Sequence, residues 1–406
     1  MSENHYDILI VGGGLVGASL ACALQATSLR VAIIEAAPWF THQRPPSYDD
    51  RILALNYVSQ RIFTGIGIWS RLAPHVTPIR SIHVSEQGQW GFTHLDNKLL
   101  GVPALGYVVT ARQLGEALFE TLSRSSIQIF SPAKLHKLRC DEHQVQLQIF
   151  EGEQERTLQT RLLVAADGEN SQIRKQIGLS VQKKEYDQVA IIANVTTERP
   201  HQYQAYERFT PSGPFALLPL RDRDCGLIWT VRRSQSDQVK SLNTQDFLSA
   251  IQQQFGWRLG QFVQVGRRDS YPLHFIHTPH LARSRVIVIG NAAHTVHPIA
   301  GQGFNLGLRD VASLAQVIIE SQSELGGESM LQHYLTLQQP DQQRILWLTD
   351  NLVKGFSHSF LPLKIARNLG LWAVESLPLL KKPLMRQMAG LNSYPSRLVR
   401  GLPLVE

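Results

Sequence analysis

The 406-residue chain is 43% hydrophobic and 18% charged, a globular balance with room for two domains, which excludes a disordered chain. Its three cysteines, Cys22, Cys140 and Cys225, stand far apart, which argues against a disulfide framework or a cysteine zinc site and for buried thiols in a reducing compartment. The net charge of +7 is concentrated at one end: from Asn351 to Glu406 eight Lys and Arg stand against two Glu, a net of +6, so the rest is nearly neutral and no nucleic-acid partner is expected.

Residues 7–11 (DILIV) predict a buried strand, the glycines after them a tight turn, residues 15–28 a helix, and residues 30–35 (RVAIIE) a second strand. That is a βαβ unit. The uncharged run 8–29 is not read as a signal peptide or a span, because no Lys or Arg precedes it and three consecutive glycines interrupt it. Leu114, Leu118 and Leu122 carry helical spacing, residues 145–150 alternate like a strand, and residues 161–168 form an apolar strand ending in Asp-Gly. From about 183 to 275 the texture changes to short alternating runs, which read as a mostly antiparallel sheet. Residues 285–290 resume the buried-strand style, residues 304–321 follow as a helix, and helices continue after about 330.

The expected fold is therefore α/β: a Rossmann-like nucleotide-binding domain in three pieces (1–75, 106–182, 276–330), interleaved with a mostly antiparallel β-sheet substrate domain (76–105, 183–275), then a C-terminal helical region (331–406). Gly12-x-Gly14-x-x-Gly17 lies between strand and helix, the context that makes such a match meaningful. The first glycine permits the turn, the second lets a pyrophosphate approach, and the third lets helix and strand pack; Leu15 and Val16 open the helix whose free N–H groups favour an anion. Glu35, 21 positions after Gly14 at the end of the second strand, is placed to accept from ribose hydroxyls. This motif alone does not choose between NAD and FAD.

Two further stretches do. Residues 166–174 (ADGENSQIR) resemble the Asp-Gly motif of flavin-dependent aromatic hydroxylases, and residues 290–305 (GNAAHTVHPIAGQGFN) resemble their second flavin motif. Segments such as 207–220 (ERFTPSGPFALLPL) and 297–310 (HPIAGQGFNLGLRD) look most like the ubiquinone-biosynthesis hydroxylases of that family, in particular those acting on 2-octaprenyl-6-methoxyphenol. The resemblance implies FAD, NAD(P)H as electron donor, dioxygen, and a prenylated phenol whose ring gains a hydroxyl. Carried over residue by residue, it implies that Gly301, Gln302, Gly303, Phe304 and Asn305 line the flavin edge, with backbone N–H groups and a helix N-terminus near the reduced ring. Pro298 is implied to face the substrate side near the reacting flavin carbon, and Arg51, Arg112 and Asp167 to lie near the FAD, with Arg112 a pyrophosphate partner. Asn291 stands where the family usually has Asp; its amide can still accept from a ribityl hydroxyl.

His294 and His297 have H-x-x-H spacing, but no Asp, Glu, Cys or His cluster elsewhere would complete a metal site, so structural histidines are expected and no metal. The absence of a second G-x-G-x-x-G favours NAD(P)H binding transiently over the same groove. Residues 345–390 read as amphipathic helix packing on the nucleotide-binding domain; with a prenylated substrate, Lys381 and Lys382 suggest peripheral contact with anionic lipid or with another ubiquinone-synthesis protein. The expected location is cytoplasmic, at the inner face of the membrane. Rival readings are hydroxylation at another ring position, another FAD oxidoreductase of this fold, or a non-catalytic flavin-binding scaffold; the missing Trp-x-Trp-x-Ile-Pro signature argues against a halogenase.

Overall fold

The computed structural model describes residues 4–39, 51–357 and 361–405. Strands His5–Val11 and Val31–Ile34 pair in parallel, and His5–Val11 pairs on its other side with Gln154–Ala165, which continues in parallel to Val286–Val288. Burial on both faces explains the unbroken apolar runs 8–11, 31–34, 162–165 and 286–288 within them. Ile8 and Ile10 point into one core with the Leu15–Leu24 and Gln302–Glu320 helices, whereas Leu9 and Val11 point into a second core with Val145, Leu147 and Ile149. A hairpin of strands Ala133–Cys140 and Val145–Glu151 is added as an antiparallel extension of Gln154–Ala165.

The second sheet has eight strands. It runs from His294–Thr295 through Phe262–His277, Gln182–Thr197, Asp224–Arg232, Gly213–Pro219, Gln204–Thr210 and Ser81–Glu86 to Phe92–Asp96. All its pairings are antiparallel except that of Gln204–Thr210 with Ser81–Glu86. The short strand His294–Thr295 lies inside the 290–305 stretch, so this stretch is hydrogen-bonded into the second sheet while its ends belong to the layer of the first. A three-stranded sheet, Ile52–Asn56, Gly106–Thr110 and Thr77–Ile79, sits where the chain passes between the two.

The C-terminal helices correct one expectation. Glu328–Ser357 packs on the Gln302–Glu320 helix as expected, but Leu361–Ser376 packs against strand Phe92–Asp96, at the edge of the second sheet, with Pro378–Met388 beside it. Two of the basic residues are consumed there. Arg367 donates to Glu86 at 2.6 Å, and Lys381, only 7% exposed, donates to Glu375 at 2.7 Å and to the His94 carbonyl at 3.0 Å. Lys381 is therefore a buried strut and not a lipid contact, because its charge is held by the half-buried Glu375 and by the edge-strand carbonyl of His94. Lys381→Glu should cost about 3 kcal/mol or more in a denaturant titration, since it sets two carboxylates together, while Lys382→Glu on the exposed side should stay within about 0.5 kcal/mol.

Candidate active site

The fingerprint glycines are where a side chain cannot go. A Cβ on Gly17 would lie 2.0 Å from the Gly12 carbonyl oxygen, and one on Gly12, whose φ is +103°, would lie 2.3 Å from that of Ala166. Around Gly14 there is nothing within 4 Å. The turn is thus closed on its protein side and open where an anion can meet the uncapped helix N-terminus at Leu15 and Val16. Glu35 sets this edge: its carboxylate accepts from Gly13 N at 2.5 Å and from Ala37 N at 2.8 Å, leaving further lone pairs for hydroxyl donors. Arg112 sits in the first turn of helix Ala111–Leu122, behind a Thr110–Gln113 capping box.

Asp167 closes the same side. Its Oδ2 accepts from Gln172 N at 2.8 Å and from Ile173 N at 3.3 Å, while Oδ1 is buried with no partner, and burial pushes its carboxyl above the ordinary range. An orphaned acceptor beside an open glycine turn is the arrangement a ribose- and phosphate-bearing cofactor would complete. Arg174, 4% exposed, donates to the carbonyls of Ala292 and Glu169, both at 2.6 Å. It thereby ties the Asp-Gly turn to the 290–305 loop.

That loop is anchored from below. Asp310, fully buried, accepts from Gly290 N (2.9 Å), His294 Nε2 (2.7 Å), Gln338 Nε2 (2.6 Å) and Gln342 Nε2 (2.8 Å). His294 is one of its struts. His297 is buried against the Tyr186 ring and accepts from Ile299 N at 3.3 Å; burial pushes it down to about 3, so it stays neutral. Among the described residues no group of three or more His, Cys, Asp or Glu is placed to hold a metal. Gly301 caps the Gln302–Glu320 helix at φ +62°, with no side chain over the first N–H groups, where Gln302, Gly303 and Phe304 begin. Asn305 lines the cavity wall, but its side chain is spent on the protein: Oδ1 accepts from Asn56 N and Ser59 Oγ, and Nδ2 donates to the carbonyls of Ala54 and Gly301. It shapes the loop.

Gly14, Leu15, Val16, Arg51, Asn291, Pro298, Gly301, Gly303, Phe304 and Asn305 all border one cavity of about 1090 Å³. Asn291 is exposed within it. Arg51 lies over the Tyr271 ring at 5.3 Å, and His274 Nε2 pairs with Glu169 Oε2 at 2.6 Å. Beyond the loop the cavity floor is the eight-stranded second sheet, with Ile82, Val84, Ala205, Phe209, Ala216, Leu218 and Ile228, and its far wall is formed by Leu371, Val374, Leu384, Met385 and Met388 of the C-terminal helices. One carboxylate, Glu207, stands among them. Sequence reasoning missed Arg174's tether, Asp310's node and Glu207; an acid inside the apolar face of the 302–320 helix, four residues after Leu306, was the available signal for the node.

Comparison with known proteins identifies the family. The FAD binding domain family matches residues 5–347. Ubiquinone hydroxylase UbiL of Rhodospirillum rubrum is 37% identical, over 99% of this chain and 94% of that one, and 3-demethoxyubiquinol 3-hydroxylase of Escherichia coli is 32% identical, over 96% and 100%. In fold, p-nitrophenol 4-monooxygenase PnpA of Pseudomonas putida DLL-E4 superposes with a TM-score of 0.79 at 17% identity, covering 96% of this chain and 99% of that one. The chain belongs to the FAD-binding monooxygenase family, in its branch of ubiquinone-biosynthesis hydroxylases.

Proposed function

We propose that this chain hydroxylates the ring of a 2-polyprenyl-6-methoxyphenol, with FAD reduced by NAD(P)H and with dioxygen as co-substrate. The carrying observation is the cavity of about 1090 Å³, polar at the glycine loops and apolar over the substrate sheet and C-terminal helices, which suits a cofactor at one end and a prenyl chain at the other. In this reading Gly12, Gly14, Gly17, Glu35, Arg112 and Asp167 hold the dinucleotide, and Asn291 accepts from the ribityl chain. Gly301, Gln302 and Gly303 present N–H groups to the flavin, which supplies oxygen activation when bound, while Pro298 turns the loop toward the substrate. The purified protein should be yellow, a prenylated methoxyphenol should stimulate its NAD(P)H oxidation, and one atom of labelled dioxygen should enter the ring. A yellow protein that never hydroxylates would favour a flavin-binding scaffold; one unable to take up FAD would sink the reading.

We further propose that helices Leu361–Ser376 and Pro378–Met388 rest on an anionic membrane surface. Ile365, Leu369 and Trp372 share the outer face at i, i+4 and i+7 and are each at least half exposed, Leu379 is 87% exposed, and exposed Lys382 and Arg386 lie beside them. The inner face of the same helices lines the cavity, so a prenyl tail would have a short path in. No helix among the described residues is long and apolar enough to cross a membrane. Ile365→Ser with Trp372→Ser should reduce co-flotation with phosphatidylglycerol vesicles by about tenfold and leave flavin content unchanged, as losing two exposed apolar side chains that would enter the lipid predicts.

A further inference from the structure

We infer that Glu207 is the group that takes the hydroxyl proton of the bound phenol. This rests on the hydroxylase reading and deepens it. Glu207 lies in the middle of strand Gln204–Thr210, paired with Val84 on one side and Ala216 on the other. Period-2 alternation puts Ala205 and Phe209 on its face, and all four neighbours line the cavity. Its carboxylate has no hydrogen-bond or ion-pair partner among the described residues. The remaining charged or titratable groups on the cavity wall are Arg51, Glu169, Tyr206, Tyr271, His274 and Arg367, of which Glu169 is held by His274 and Arg367 by Glu86.

A lone carboxyl in an apolar wall is costly unless something donates to it. A ligand that fits is long, apolar and carries one hydroxyl. Phe209, roughly 7 Å further along the strand, packs against Ile299, the residue after Pro298, so Glu207 lies within reach of a ring held at that loop. Burial pushes the Glu207 carboxyl up to about 7, near the pH at which a base can both accept and release a proton. In the step proposed, the phenol O–H bond breaks, its proton passes to a Glu207 carboxylate oxygen, and the electron pair stays on the phenol oxygen, making the ring the better nucleophile. Nothing is oxidised or reduced in this step.

The test uses the flavin-loaded full chain with 2-geranyl-6-methoxyphenol and its methyl ether as probes. With wild type, turnover should rise with pH up to about 7 and then level, because only the ionised carboxyl accepts the proton, and the phenol should bind about tenfold tighter than the ether. Glu207→Gln should keep phenol affinity within about threefold, lose roughly 100-fold in turnover and lose the limb near pH 7. Glu207→Leu should bind phenol and ether alike. A second readout is independent of activity: since the folded carboxyl binds its proton more tightly than the unfolded one, ordinarily near 4.5, wild-type stability should fall as pH rises from about 4.5 to 7, and Glu207→Gln should abolish that fall. The inference is overturned if Glu207→Leu retains the wild-type pH profile and the preference for phenol over ether. A wild type that holds FAD but binds neither probe overturns the hydroxylase reading together with it.

Discussion

Gly17→Ala is expected to yield a protein that purifies without flavin. The added Cβ would sit 2.0 Å from the Gly12 carbonyl oxygen and 3.2 Å from the Ala166 Cβ. The first of these is backbone in a turn already fixed by Gly12 N donating to the Ile34 carbonyl and by Ala166 N donating to the Val11 carbonyl, so it cannot swing aside. The Leu15–Leu24 helix must therefore lift off the His5–Val11 strand, and overpacking of this kind costs about 1–3 kcal/mol or more. The effect on the cofactor exceeds the effect on stability, because the helix N-terminus and the glycine turn must both face the pyrophosphate, and a shift near 1 Å spoils several N–H contacts together. The ratio of flavin to protein absorbance should fall at least about 100-fold short of saturation at micromolar FAD, while the far-ultraviolet circular dichroism changes little. Gly14→Ala separates the two effects. With nothing within 4 Å of its Cβ, it should fold with unchanged stability yet bind FAD more weakly, because the methyl occupies the approach of the phosphate. A Gly17→Ala protein that retains stoichiometric flavin would show that the close approach of helix and strand is not what holds the cofactor.

The contrast between what was legible and what was not follows contact distance along the chain. The fingerprint, with its strand, turn, helix and following acid, is built from residues 5–35, and its local spacings carry the geometry directly. The 290–305 stretch was legible for its glycines for the same reason. Its supports were not: Asp310 meets Gln338 and Gln342 from another helix, and Arg174 reaches Ala292 across 118 residues. Glu207 illustrates a different limit. In an alternating strand an acid reads as a solvent-facing residue, but this sheet has packed elements on one face and the cavity on the other, and periodicity does not say which face holds water. Lys381 misled for a related reason. A basic residue on an amphipathic helix is read as exposed, whereas tertiary packing against Glu375 buried it.

Asp310→Ala should be the most damaging single change outside the fingerprint. It removes one acceptor from four buried donors: Gly290 N, His294 Nε2, Gln338 Nε2 and Gln342 Nε2. Each donor left unsatisfied costs about 1–3 kcal/mol, so even with partial relaxation the loss reaches about 5 kcal/mol, comparable to the whole stability of many domains. The damage is directional. Gly290, at φ +57°, begins the loop, and its Cβ position faces Val16 of the fingerprint helix, so loosening Gly290 disturbs both cofactor motifs at once. His294 pairs with His277 in the second sheet, so the same loss uncouples that sheet from the 290–305 loop. Two milder variants grade the effect. Gln342→Ala leaves Asp310 with three donors and should cost about 1–2 kcal/mol with flavin retained. Asp310→Asn keeps a carbonyl acceptor but turns an NH2 group toward donors, and should fall between the two. Denaturant titration with flavin absorbance as a second probe measures all three, and an Asp310→Ala protein within about 1 kcal/mol of wild type would mean that the loop is held by its sheet pairing and by Arg174 instead.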